Sequence, residues 1–209
     1  MDFNALRNAV IDGDAKTTRT LVQEALTAGH DPRELVTQHL IPAMDEVGRR
    51  FECNDFFVPE MLIAARAMKA ALEIVKPYLA ATGAKPTGRV LIGTVKGDLH
   101  DIGKNLVCAM LEGGGFEVID LGVDVAPEKF VSALKEHQVD ILALSALLTT
   151  TMPAMRDTVA AVRDAGIRNT VKIIVGGAPI TDGFAKEIGA DGYSDNASAA
   201  VVLARRVLK

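Results

Sequence analysis

Apolar positions in the first part of the chain recur every three or four residues, the period of one helix face. Val36, Leu40, Met44, Val47 and Phe51 form one such stripe, and Met61, Ala65, Met68, Leu72, Val75 and Leu79 form a second. Leu6 with Val10, and Leu21 and Val22 with Ala25 and Leu26, mark two shorter helices. Asp31-Pro32-Arg33-Glu34 reads as a helix start, with Asp as N-cap, Pro in the first helical position and Glu in the third. Gly13-Asp14 and Ala28-Gly29-His30 read as turns. Four short-looped amphipathic helices bury their apolar faces best as a bundle.

The breaker-rich stretch Ala81-Thr82-Gly83-Ala84-Lys85-Pro86-Thr87-Gly88 predicts a domain boundary, with a helical domain over 1–85 and a second domain over 86–209. After it the pattern changes. Short, continuous apolar runs at Val90–Val95, Glu117–Leu121, Asp140–Leu144, Val171–Val175 and near Ala190–Tyr193 alternate with helical stretches. Those stretches are Ile102–Glu112, Pro127–His137, about Pro153–Ala165, a short helix, and a last one from about Ala197. Strict strand–helix alternation with apolar strands predicts a five-stranded parallel sheet covered on both faces. In such sheets ligands bind at the carboxyl ends of the strands, where the strand order switches.

The chain has 209 residues, a formal net charge of −4, 49% apolar and 24% charged residues, all ordinary for a folded domain with its own core. Clustered Lys/Arg is missing, so nucleic acid is not expected as a partner. No apolar stretch reaches the length of a membrane span and the N-terminal residues lack a signal pattern, so a cytoplasmic protein without membrane partner is expected. Cys53 and Cys108 make no metal-ligand spacing and read as reduced thiols.

Polar and small residues gather at the predicted carboxyl strand ends. The first strand runs into Lys96-Gly97-Asp98-Leu99-His100-Asp101-Ile102-Gly103, the third into Ser145-Ala146-Leu147-Leu148-Thr149-Thr150-Thr151, and the fourth into Gly176-Gly177-Ala178-Pro179. Asp98-x-His100 can supply a metal ligand and the carboxylate that fixes its tautomer from one loop, and Gly103 lets backbone come close to a bulky ligand. Simpler roles compete. Gly176-Gly177 can be a tight turn, Ser145 and Thr149 can cap the next helix, and Thr151 stands where an N-cap for the helix at Pro153 is expected. A phosphate or Mg²⁺ site on Asp98 and Asp101 is the plain alternative, though it leaves the other loops unexplained.

The segment Gly97-Asp98-Leu99-His100-Asp101-Ile102-Gly103-Lys104-Asn105 resembles the cobalamin-binding loop of methionine synthase and of the corrinoid methyl-carrier proteins. Ser145-x-Leu147 and Gly176-Gly177 stand at the separations that family uses. Phe51 to Pro59, leading into Ala64-Ala65-Arg66-Ala67-Met68-Lys69, is similar to its helical cap. The resemblance spans nearly the whole chain. It implies a four-helix cap domain followed by a doubly wound, Rossmann- or flavodoxin-like, cobalamin-binding α/β domain.

The resemblance also implies roles. His100 is the cobalt ligand beneath a cobalamin bound base-off, Asp98 accepts its ring proton, and Thr151 stands where methionine synthase has the serine that completes the relay. Gly97, Leu99, Asp101 and Gly103 complete the cofactor loop. Ser145 and Thr149 hydrogen-bond the buried nucleotide tail, Leu147 packs on it, Gly176 and Gly177 make room for it, and Ala197 gives a backbone contact. Phe51, Val58 and Met61 cover the upper cobalt face, although their helix-face spacing also fits a core. The cofactor alternates between cob(I)alamin and methylcob(III)alamin. The implied partners are a substrate-specific methyltransferase (methanol, methylamine or methoxyaromatic donor), a tetrahydrofolate or coenzyme M methyltransferase, and a reductive activation protein. The second reading is a B12-dependent regulatory or light-sensing module.

Overall fold

In a computed structural model of the protein, residues 2–82 and 85–209 are described, so Gly83 and Ala84 of the expected connector lie outside the described residues. The chain forms two compact units, Met1–Thr87 with Ala109–Gly115, and Gly88–Cys108 with Phe116–Lys209.

The first unit is helical. α1 (Phe3–Ile11) and α2 (Ala15–Thr27) start on the N-caps Asp2 and Asp14, whose carboxylates accept from backbone N–H groups that the helix leaves unpaired. Asp31 does the same for α3 (Pro32–Glu34). α4 (Ile41–Glu52) and α5 (Val58–Thr82) follow. Leu6, Val10, Val22, Met44, Val47, Met68 and Val75 are buried, and the buried alanines 64, 65, 67, 70 and 71 give α5 a small-residue surface that allows close helix packing. The stripe from Val36 to Phe51 predicts one regular helix. The structure instead places a π-helical turn at Leu35–Leu40, where the Ile41 N–H reaches the Val36 carbonyl. Pro42 explains it. Its ring has no N–H for the carbonyl of Gln38 and crowds that carbonyl, so the turn widens. Arg7 Nη2 of α1 donates to the Gln38 carbonyl instead, at 2.7 Å.

The second unit alternates β1 (Arg89–Thr94), α6 (Ile102–Gly113), β2 (Glu117–Asp120), α7 (Pro127–Glu136), β3 (Ile141–Ser145), α8 (Met152–Asp164), β4 (Lys172–Gly176), α9 (Asp182–Ile188), β5 (Gly192–Ser194) and α10 (Ala197–Val207). The far end of α6 groups with the helical unit. The strands form one parallel sheet in the order β2-β1-β3-β4-β5. Because side chains alternate along a strand, Leu91, Leu142, Leu144, Ile173 and Val175 share one core with Phe130 of α7 and Met155, Val159 and Val162 of α8. Val90, Ile92, Ile141 and Ile174 are buried on the opposite face. Double-sided burial is why these strands read as unbroken apolar runs. β2 lies on one side of β1 and β3 on the other, so the order switches between β1 and β3.

Candidate functional site

The register of β1 on β3 pairs Thr94 with Ser145, and that of β3 on β4 pairs Ser145 with Gly176. Three loops predicted to carry the site therefore start side by side. Past β1, Gly97 turns the chain with φ +83°, a conformation that favours glycine. The turn sends Asp98 inward, where it is fully buried. One carboxylate oxygen accepts from the His100 backbone N–H at 3.0 Å and from His100 Nδ1 at 2.7 Å. The other accepts from the backbone N–H groups of Leu147 at 2.7 Å and Leu148 at 3.3 Å, and from the Thr151 hydroxyl at 2.8 Å. Asp98 thus sews the β1 loop to the β3 loop across the switch point.

Burial pushes the Asp98 pKa up, but hydrogen bonds from the Leu147 and His100 backbone, the Thr151 hydroxyl and the His100 ring outweigh it and hold the carboxyl well below the usual range. A carboxylate kept ionised is an acceptor only, so the proton between Asp98 and His100 belongs to Nδ1. The neutral ring then carries its lone pair on Nε2, which has no partner among the described residues. The Thr94 hydroxyl donates to the His100 carbonyl at 2.8 Å, fixing the main chain under the ring. The His100 side chain is half exposed (50%). Leu99, Leu147 and Leu148 in the same two loops, and Ile102 at the start of α6, are exposed apolar side chains.

Thr151 occupies the N-cap position of α8 yet makes no side-chain cap bond. Its hydroxyl points to Asp98 Oδ2, with the Leu148 carbonyl as a second acceptor at 2.9 Å. Asp101 accepts from Asn105 Nδ2 at 3.1 Å. Thr149 is exposed and Ser145 half-buried. Ala197 is buried at the start of α10, behind the N-cap Asn196. Gly176 and Gly177 sit at the end of β4. A Cβ on Gly177 would stand 1.8 Å from the Ala146 carbonyl oxygen, so the chain's own backbone requires that glycine. Gly103 is different, because a Cβ there would meet nothing within 4 Å. The cap candidates lie in the helical unit: Phe51 half-buried, Val58 exposed and Met61 fully buried. Sequence reasoning missed the exposed Phe57, Leu62 and Ile63 beside them. It gave no role to Thr94, the Leu148 amide, Lys104 or Asp124, although Asp124 accepts from the Gly97 N–H and Lys104 pairs with Asp120.

With five hydrogen bonds on its two oxygens, Asp98 has no free face for a phosphate-bound cation. Among the described residues no group of three or more His, Cys, Asp or Glu could hold a bare metal ion. One imidazole, oriented by a carboxylate and free at Nε2, suits a metal that brings most of its own ligands. Its apolar surround and the open space over Gly103 suit the broad face of a macrocycle. The fold and this site define an α/β protein with a half-exposed, carboxylate-anchored histidine at the sheet's switch point.

Residues 88–202 match a B12 binding domain family, and residues 3–76 match a second B12 binding domain family. Trimethylamine corrinoid protein 2 of Methanosarcina acetivorans is 43% identical, over 97% of this chain and 94% of that protein. Two solved structures are similar over 99% of this chain. A cobalamin-binding protein from Desulfitobacterium hafniense has 34% identity and a TM-score of 0.83 over 98% of its own length. A chain of the methanol:cobalamin methyltransferase complex from Methanosarcina barkeri has 30% identity and a TM-score of 0.87 over 79% of its length. The chain belongs to the corrinoid methyl-carrier proteins, and its cofactor is a cobalamin. Among the described residues no helix is long and apolar enough to cross a membrane.

Proposed function

We propose that the chain holds cobalamin base-off with His100 as the protein ligand to cobalt. In this reading it carries methyl groups from a substrate-specific methyltransferase to a second methyltransferase acting on tetrahydrofolate or coenzyme M, in the cytoplasm. A separate protein restores the cofactor by reduction. The observation that carries the reading is the half-exposed imidazole whose Nδ1 is anchored on a buried, ionised carboxylate. The bound cofactor supplies a cobalt centre that takes up and releases a methyl group.

The chain's own residues do the rest. Asp98 fixes the ring's tautomer and aims Nε2 outward. Thr151 and the two loop amides keep Asp98 ionised, so the proton stays on the ring. Gly103 leaves room for the macrocycle, and Ser145, Leu147, Thr149, Gly176, Gly177 and Ala197 form the strand-end side of the tail site. In this reading residues 86–209 are the cofactor domain and 1–85 the cap, for which Phe51, Val58 and Met61 are the candidate cover residues. Exposed Phe57, Val58, Leu62 and Ile63 support the cap role, since apolar groups left in water on a helix start suit an apolar cover. The name of the 43%-identical relative favours a methylamine as the methyl source.

The test uses purified protein loaded with cobalamin and reduced to the Co(II) form. Electron paramagnetic resonance should show splitting from one axial nitrogen that changes on ¹⁵N-histidine labelling and vanishes in His100→Ala. Splitting that persists in His100→Ala, or is absent from the wild type, refutes the assignment. Methyl transfer from trimethylamine, dimethylamine, monomethylamine and methanol with their cognate methyltransferases then identifies the donor.

A further inference from the structure

The loop that carries His100 is gripped at both ends by one neighbouring segment, residues 120–125. At the near end, the Gly97 N–H donates to the Asp124 carboxylate at 2.7 Å, and the Asp124 N–H donates to the Asp98 carbonyl at 3.0 Å. Asp124 adopts φ +51°, a left-handed conformation that side-chain-bearing residues rarely take and that Asp and Asn tolerate best. At the far end, Lys104 in the first turn of α6 is buried to 3% exposure. A buried ammonium requires compensation. Lys104 finds it in the carboxylate of Asp120 at the end of β2 and in Asn105 Oδ1, 2.7 Å away. The other Asp120 oxygen accepts from the Gly122 N–H at 2.9 Å. The segment is itself tied to β1, since the Thr94 N–H donates to the Gly122 carbonyl and the Val125 N–H to the Thr94 carbonyl, both at 3.0 Å.

We propose that Asp124, together with the Lys104–Asp120 pair, positions His100 without touching it. The inference rests on His100 being the cobalt ligand. Asp124 sets the main chain of Gly97 and Asp98, and thereby the place from which the Asp98 carboxylate reaches the ring. Lys104 and Asp120 set the first turn of α6, where the loop ends. His100 lies between two fixed points, so its ring has little freedom to swing away when a partner protein handles the cofactor. Pre-set ligand geometry of this kind comes from groups outside the ligand's own contacts.

Two variants separate the carboxylate from the backbone conformation. Asp124→Gly keeps the left-handed turn and removes the acceptor, whereas Asp124→Asn keeps both the turn and an acceptor oxygen. In cofactor-free protein, hydrogen exchange at the Gly97 amide should quicken by at least about tenfold in Asp124→Gly, while the Ile174 amide in β4 keeps its wild-type protection. In the cobalamin-loaded Co(II) form, the nitrogen-ligated fraction should fall to about half or below, as a population shift between held and released ring. Asp124→Asn should restore both. Wild-type exchange and wild-type nitrogen splitting in Asp124→Gly overturn the proposal. Should Asp124→Gly not fold, Lys104→Met, which leaves the part-exposed Asp120 to solvent, is read by the same two measurements, and wild-type values in both again overturn the proposal. A wild-type protein without nitrogen splitting overturns the role of His100 instead, and Gly97 exchange then decides the brace alone.

Discussion

In the helical unit the backbone leaves regular geometry at Leu35–Leu40, and in the sheet unit it does so at Gly97 and Asp124. Both irregular stretches are held by charged side chains. Arg7 serves the first, donating from Nη2 to the Gln38 carbonyl and to His39 Nδ1 at 3.1 Å, while Phe3 stacks on the His39 ring at 4.0 Å. Asp98 and Asp124 serve the second. The difference lies in what each arrangement leaves over. Around Arg7 the charge repairs a helix that Pro42 disturbs, and the one group left over there, Nε, is buried, away from any ligand in solvent. Around Asp98 the hydrogen-bonded groups run outward to an imidazole whose last nitrogen, Nε2, has no partner among the described residues. Buried charge alone does not mark a functional site; a chain of satisfied groups ending in one unsatisfied, exposed group does.

The largest effect expected from breaking this contrast is that of Asp98→Ala. It strands the Leu147 and Leu148 amides and unhooks His100, so urea unfolding of cofactor-free protein should show a loss of about 3 kcal/mol. Axial nitrogen should also disappear from the Co(II) spectrum. Arg7→Ala should cost about 1–2 kcal/mol, because the Gln38 carbonyl loses its donor, and leave that spectrum unchanged. In a Pro42→Ala background, where residue 42 regains an N–H, the cost should shrink measurably in a double-mutant cycle. A changed spectrum in Arg7→Ala would dissolve the distinction between the two regions.

Acid should separate them as well. Burial, with Arg7 and His30, lowers the His39 pKa, so the folded form takes up its proton less readily than the unfolded form. Stability from this group is present above the ordinary imidazole range and lost as pH falls through it. Asp98 is also depressed, so its contribution is lost only as pH falls below the ordinary carboxylate range. Urea midpoints measured against pH should flatten in the upper window for His39→Gln and in the lower one for Asp98→Asn. The smallest effect should come from Arg19→Ala. Its pair with Glu73 is half exposed on both sides, and its loss should change stability by about 0.5 kcal/mol or less.

The strands were legible within a residue or two because a sheet covered on both faces writes itself as continuous apolar runs. The helix start at Asp31 was legible because Pro32 and Glu34 follow the capping residue, whereas the caps Asp2 and Asp14 lack that accompaniment. The π-helical turn was not, since over six residues its period differs too little from that of an α-helix to disturb the stripe from Val36 to Phe51. Thr151 shows a second kind of ambiguity: beside Pro153 it reads equally as an N-cap, and the direction of its hydroxyl depends on a carboxylate in another loop. Gly177 could be read as space for a ligand, whereas the Ala146 carbonyl already forbids a side chain. Asp124 gave no signal at all, because its partner Gly97 is 27 residues away.

Local chemistry along the chain settled the strand–helix alternation and the helical first part, and it put His100 forward as a candidate ligand. Those features depend on side-chain periodicity and on residues close in sequence. Which carboxylate would be buried, which hydroxyl would serve it and which distant aspartate would brace the loop depended on β1 lying between β2 and β3. Hydrogen bonds act over about 3 Å, and strand order in space brings residues far apart in the chain within that reach.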